Sequence, residues 1–245
     1  MKLKYLICVL GSIYVGNAVA GPADYIYYPK VEQGEREIDY KSGTSKQADG
    51  IRTTVHKIGY GYGATDYWFT EVYVTREKSG ADGLSIVEWE NKFQLTETGK
   101  YPVDIGLITE IEVPMNNNKA PYEFKIGPLF QTDFSKLQLN GNLLFKRKFG
   151  RNETNEPQST EFGYQWQAKY RFKPEFEVGM QGMGETGAWN NWNGTNNQNH
   201  RFGPAVFGKV KLAPKQAIKY NAALLFGSSQ VAPDRTFRMQ IEYEF

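Results

Sequence analysis

The chain has 245 residues, with 29 Lys and Arg against 27 Asp and Glu, and it carries 16 Tyr, 15 Phe and 5 Trp. That length allows one large all-β domain or at most two small ones, and the near-neutral balance excludes a polyvalent nucleic-acid binder, which needs an excess of cations to release counterions from phosphates. Beyond residue 20 no stretch approaches the roughly 18 consecutive apolar residues of a spanning helix, and a chain this aromatic can bury enough apolar surface to fold.

Residues 1–20 have the order of a secretory signal peptide: Lys2 and Lys4, an apolar run from Tyr5 to Val15, then Ala18-Val19-Ala20 before Gly21. Cleavage after Ala20 removes both lysines, balances the mature charge, and removes Cys8, the only cysteine. The mature chain then has no disulfide, thiolate metal site or cysteine nucleophile. Residues 21–34, with Tyr25, Tyr27 and Tyr28 before Pro29, precede the first strand and are expected on the periplasmic side, either as a plug that tucks into a lumen or as a loose tail.

From residue 35 to 245 the dominant pattern is a period of two. At the C-terminus Phe237, Met239, Ile241, Tyr243 and Phe245 alternate with Arg238, Gln240, Glu242 and Glu244, which puts apolar side chains on one face of a strand and charged ones on the other. The pattern predicts twelve strands, at 35–44, 51–63, 66–77, 84–96, 101–113, 122–131, 136–149, 160–172, 174–186, 201–212, 216–227 and 236–245. Their lengths match the roughly 9–11 residues of a tilted membrane-crossing strand and exceed the roughly five or six of soluble sandwiches. Short links at 64–65, 97–100, 132–135, 173 and 213–215 alternate with longer ones at 45–50, 78–83, 114–121, 150–159, 187–200 and 228–235. The expectation is one transmembrane, antiparallel, up-and-down β-barrel with both chain ends on the short-turn side.

Three segments carry a resemblance. Tyr28-Pro29-Lys30-Val31-Glu32-Gln33-Gly34-Glu35-Arg36-Glu37-Ile38-Asp39, Trp89 through Glu97 and Lys219 through Gly227 are similar to an uncharacterised proteobacterial outer-membrane β-barrel protein family. The terminal Tyr243-Glu244-Phe245 resembles the assembly signal of such barrels, with Gln240 where a glycine is common. The resemblance implies an outer-membrane location, recognition by the barrel-assembly machinery through Tyr243 and Phe245, and contact with outer-membrane lipid. It implies no particular activity.

Lipid cannot solvate charges, so the polar parity must face the interior. The expected acidic lining is Glu88, Glu90, Asp104, Glu110, Glu112, Glu175 and Glu177, and the expected basic lining is Lys146, Lys148, Lys169, Arg171, Lys209, Lys211 and Lys219, two arcs of opposite sign with few inward aromatics. Two readings stay open. The charges close the lumen as hydrogen-bonded pairs, or they line a narrow aqueous passage for small polar or charged solutes. The loop from Trp189 to His200 offers Trp189, Trp192 and Asn193 as candidate ligand contacts at the cell surface. No enzyme is expected: of the two histidines, His56 shares parity with lipid-facing Ile58, Tyr60 and Tyr62, and no serine stands beside it along its strand. No metal site or cofactor is expected either, since the alternating carboxylates have no histidine pair and Gly59-Tyr60-Gly61-Tyr62-Gly63 lacks the lysine and helix of a phosphate loop.

Overall fold

The computed structural model describes residues 21–47, 49–117, 119–151 and 158–245. The signal peptide and Cys8 lie outside the described residues. Twelve long strands form one antiparallel sheet: β1 (Arg36–Lys46), β2 (Arg52–Thr65), β3 (Trp68–Ser79), β4 (Asp82–Gln94), β5 (Asp104–Pro114), β6 (Tyr122–Phe134), β7 (Leu137–Phe149), β8 (Thr160–Lys173), β9 (Phe176–Ala188), β11 (Asn199–Ala213), β12 (Gln216–Gly227) and β13 (Arg235–Glu244). The two-residue β10 (Asn191–Trp192) adds only to the end of β9. Each long strand pairs with the next in sequence and β1 pairs with β13, so the sheet closes and has no free edge.

Burial follows the same period of two, but inverted relative to a soluble protein. Ile58 and Val74 are 56% and 58% exposed, whereas Arg201 and Arg238 are each 2% exposed. An apolar outside and a charged inside is the arrangement hydrocarbon demands, because a solvated exterior would favour the reverse.

The strand positions hold, while the strict alternation of short and long links does not. β3 and β4 are joined by Gly80 and Ala81 alone, with Gly80 at φ +57°. The ladder continues through Lys78↔Gly83 and Ser79↔Asp82, residues whose polarity marked a loop in the sequence although nothing in their backbone prevents pairing beyond the apolar band. Conversely the β4–β5 link at the other end spans residues 95–103. There Asp104 Oδ1 accepts from Gly99 N at 2.7 Å, and Ile105 N donates to Thr96 Oγ1 at 2.8 Å.

Residues 21–31 run inside the barrel and 32–34 are exposed where the segment meets β1, which is the plug of the two alternatives and not the loose tail. Tyr25 Oη donates to Glu90 on β4 (2.5 Å) and Tyr27 Oη to Glu110 on β5 (3.0 Å), while Asn142 Nδ2 on β7 donates to Tyr27 O (3.2 Å) and Gln167 Nε2 on β8 to Tyr28 Oη (2.9 Å). Ile26 packs with Met183, Ala205, Phe207, Ala223 and Leu225 from β9, β11 and β12. A short segment touching strands all around the circumference can only lie in the lumen. Two inward glycines admit it: a Cβ at Gly43 would stand 2.0 Å from Pro22 O, and one at Gly63 1.9 Å from Glu32 O. Tyr27 completes the seal against Ile108, Leu129 and Leu144.

Truncating the side chain at the centre of this seal should be costly. Ile26→Ala is expected to lower stability by about 2–5 kcal/mol, read as a lower denaturant midpoint of the barrel in detergent micelles. An unchanged midpoint would mean that the segment is not packed.

Candidate functional site

On the turn end of the barrel, below the Ile26 and Tyr27 seal, lies a cavity of about 580 Å³ lined by residues of the inner segment, including Tyr25 and Tyr28, and by charged groups such as Glu37, Lys169 and Lys219. Burial, and then the Glu90 carboxylate, push the Tyr25 phenol well above its usual range; burial and then Glu110 do the same to Tyr27. Both therefore stay protonated donors to their carboxylates. At the cavity mouth Glu35, just ahead of β1, is pushed up to about 7 by burial and then by a hydrogen bond with Glu244.

The sequence-selected charges distribute as follows. Glu88, Glu90 and Glu110 are buried. Lys57 donates to Glu88 Oε2 (2.6 Å) and Lys125 to Glu110 Oε1 (2.7 Å), while Thr75 also donates to Glu88. Glu112 is half-buried, with a carboxylate oxygen within 4.8 Å of those of Glu88 and Glu110. Asp104 is buried as the loop anchor described above. Lys146 pairs with Glu185 (2.5 Å), Lys169 with Glu177 (3.0 Å), Arg171 with Asp133 (3.3 Å), Lys209 with Glu244 (2.6 Å) and Lys219 with Glu242 (2.7 Å). Lys148 is half-buried and opposite Glu123. Two positions fall elsewhere: Glu175 is exposed in the β8–β9 turn, where its carbonyl accepts from Tyr220, and Lys211 is exposed near the end of β11. Glu175 sits past the last apolar outward residues, whereas Lys211 keeps the inward parity between the exposed Val210 and Leu212 but lies at the open turn end, next to the irregular register between Lys211 and Ala213.

Separate arcs of opposite sign are also corrected. Lys41, Lys57 and Lys125 stand among the acidic strands, and Lys41 pairs with Asp39 at 2.9 Å. Their parity placed them inward, a signal available in the sequence. Inward aromatics were underestimated for the same reason: Phe69 and Tyr73 are buried on the inner parity of β3, and Tyr73 donates to Asp39 and accepts from Lys41. What sequence could not supply is which carboxylate meets which ammonium, since that depends on register across strands and on the inner segment.

Two carboxylate triads, Glu35/Glu37/Glu242 and Glu88/Glu110/Glu112, have geometry within reach of a cation. Lys219 already serves the first, and Lys57 and Lys125 the second. At the loop end Trp192 stacks on Phe162 at 5.8 Å and 3°. Asn193 fills the space beside Gly187, where a Cβ would stand 2.6 Å from its amide. Trp189 is exposed, so the three loop residues face separate neighbours. On the lipid-facing wall the structure adds a contact that spacing along one strand concealed: Ser42 on β1 lies opposite His56, and its Oγ stands 3.1 Å from Nδ1, an atom that also has Tyr40 Oη at 2.8 Å.

A closed twelve-stranded barrel with an apolar exterior and a charged, partly hollow interior is an outer-membrane β-barrel of porin-like architecture. A family model described as "Putative MetA-pathway of phenol degradation" matches residues 83–238. That is more than half of the chain, and the protein belongs to this family. Among solved structures it is similar to an outer membrane channel from Pseudomonas putida F1, at 15% identity, TM-score 0.55, and coverage of 92% of this chain and 99% of that one. It is also similar to the KdgM porin in complex with disordered oligogalacturonate (8% identity, TM-score 0.54, 85% and 98%) and to the translocator domain of the autotransporter NalP from Neisseria meningitidis (10% identity, TM-score 0.53, 87% and 88%). No curated protein sequence matches the chain. Channels and a translocator share the architecture, so the likeness gives the fold and leaves function to the site.

The buried pairs make a direct prediction. Lys125→Met leaves Glu110 charged without its ammonium and should cost about 3–5 kcal/mol. Adding Glu110→Gln to it should recover most of that loss in the same denaturant measurement.

Proposed function

We propose that the protein is a narrow outer-membrane channel for small polar or charged solutes, closed at mid-height by residues 21–31. The observation that carries this reading is the nature of the closure: the cavity of about 580 Å³ ends against a segment held by packing and by hydrogen bonds that each involve a side chain, such as Asn142 Nδ2 to Tyr27 O and Val31 N to Gln94 Oε1, not against the wall itself. Withdrawing that segment would join the cavity to the charged space beyond it without breaking a ladder hydrogen bond. The inward Glu and Lys side chains then present both signs to the passage, a field suited to orienting zwitterionic or dipolar solutes. The family description makes small phenolic compounds a sensible part of the first solute panel, and Tyr25, Tyr28 and Phe207 supply rings along the cavity.

In the same reading residues 1–20 are removed during export, the turn end faces the periplasm, and Tyr243 and Phe245, stacked at 5.4 Å, are what the assembly machinery engages. Sequencing of the mature protein should begin at Gly21.

Single-channel recording in planar bilayers tests the proposal. The mature protein should give brief, small openings, deletion of 21–33 should give sustained larger ones, and Glu110→Lys and Lys209→Glu should shift ion preference in opposite directions. Silence in both mature and deleted forms would favour a closed structural barrel. Glu35 adds a pH signature. It is neutral below about 7 and charged above, so cation preference should rise between about pH 6 and 8 and should lose that rise in Glu35→Gln.

A second reading, lipid hydrolysis, rests on the Ser42–His56 contact. We read the contact as structural, because Tyr40 shares Nδ1 and, among the described residues, nothing orients the other ring nitrogen. Wild type and Ser42→Ala should be equally inactive on phospholipid micelles; turnover that depends on Ser42 would overturn this.

A further inference from the structure

We propose that the outward faces of β13, β1, β2 and β3 at the loop end form a binding site for a lipid head group carrying two or more phosphates, in the leaflet that the loops face. The inference rests on the membrane placement of the barrel but not on its conducting solute. On these four adjacent strands the outward parity is apolar at mid-height, with Ile38, Ile58, Val74 and Phe237, and then turns basic, ending in Lys46, Arg52, Arg76, Lys78 and Arg235.

Register brings these cations together. Lys46 lies directly opposite Arg52 on one side and Arg235 on the other, Thr54 lies opposite Lys78, and His56 lies opposite Arg76. Like charges directly opposite one another across strands are destabilising. All five cations are exposed. The interior resolves the same problem with carboxylates, but here, among the described residues, no carboxylate lies within 4.0 Å of any of the five. Arg76 has only Ser85 Oγ, at 2.7 Å. The carboxylates nearest in sequence make no ion pair with the five: Asp49 accepts from Ile51 N, Glu77 follows the inward parity, Asp82 lies opposite Ser79, and Asp234, exposed beside Arg235, meets Lys46 through its backbone N, which donates to Lys46 O at 2.9 Å. An external anion is the missing partner.

Two features select a lipid over a soluble anion. On β3 and β13 the cations follow directly on the lipid-facing Val74 and Phe237, and on β1 and β2 they follow the uncharged polar pairs Ser42/Thr44 and His56/Thr54, the order expected from hydrocarbon to the level of head-group phosphates. The patch is also confined to one arc. Elsewhere on this rim aromatic rings such as Phe149, Phe162, Phe202 and Phe226 stand at outward positions, and the outward cation Arg147 has no cation directly opposite it: it pairs with Thr160 in the ladder. Four strands at about 4.8 Å spacing give a width of roughly 15 Å, enough for two phosphates on one disaccharide and broader than a single phosphate needs.

The test uses the intact barrel in neutral detergent with three probes: bis-phosphorylated lipid A, its dephosphorylated form, and inorganic pyrophosphate. The variant Lys46→Gln/Arg52→Gln/Lys78→Gln/Arg235→Gln is compared with wild type and with Lys100→Gln/Lys136→Gln/Lys173→Gln/Lys215→Gln, which removes equal charge at the turn end. Retained lipid is counted by native mass spectrometry, and an unchanged denaturant midpoint in detergent micelles shows that each variant is folded. Wild type and the turn-end variant should retain bis-phosphorylated lipid A about tenfold better than the loop-end variant, with little retention of the dephosphorylated form and no displacement by pyrophosphate. Equal retention by the two variants, equal retention of dephosphorylated lipid, or displacement by equimolar pyrophosphate would each overturn the proposal, the last by showing a free-anion site.

Discussion

Hydrocarbon offers no partner to a backbone N–H or C=O, and the rest of this structure depends on that constraint. The ladder has to close, and the pairing of β1 with β13 closes it. Once closed, each strand has one face to lipid and one to the interior, so every charge within the band is forced inward together with its neighbours. The wall therefore determines that Glu88, Glu110, Lys57 and Lys125 share a confined space. Their pairing follows from the expense of leaving any of them alone there.

Twelve strands enclose more volume than their own side chains fill. Here the remainder is shared between the inner segment and the cavity. The residues of that segment match the walls they meet. Ile26 lies against the apolar inward residues of β9, β11 and β12, whereas Tyr25, Tyr27 and Tyr28 combine an apolar ring with a donor for Glu90, Glu110 and the Gln167 amide. Phenols can be donors at the edge of an apolar seal without adding a charge to it. Gly43 and Gly63 are the complementary feature of the wall, small where the segment's backbone passes.

What was legible in the sequence was what period two controls. Strand identity, closure into a barrel and the inward face of Glu110 or Lys146 follow from alternation, because a slip of one residue would turn every charge to lipid. The ends were less legible. Lys78 and Asp82 look like a loop but extend a hairpin, since beyond the apolar band polarity no longer reports on backbone pairing. Partnerships across strands were least legible: Ser42 and His56 are 14 positions apart and Lys125 and Tyr27 are 98 apart, yet both pairs touch. Alternation gives the face of each residue, and register gives its neighbour.

The two faces then solve the same electrostatic problem differently. Inside, the surroundings are fixed protein groups, and Lys41, Lys57, Lys125 and Lys146 are each placed against a carboxylate on their own or a nearby strand, as Lys57 is against Glu88. Outside, at the loop end of β13, β1, β2 and β3, the neighbours are lipid, and the same strands carry cations beside cations. Nothing in the ladder requires that, since on the opposite arc aromatic rings such as Phe149, Phe202 and Phe226 stand at the rim and Arg147 has Thr160, not a second cation, opposite it. A wall that pairs most of its interior lysines with carboxylates and leaves one outer arc basic is the arrangement that a phosphate-bearing leaflet would complete, and in that proposal the head groups enter the barrel's energetics as partners.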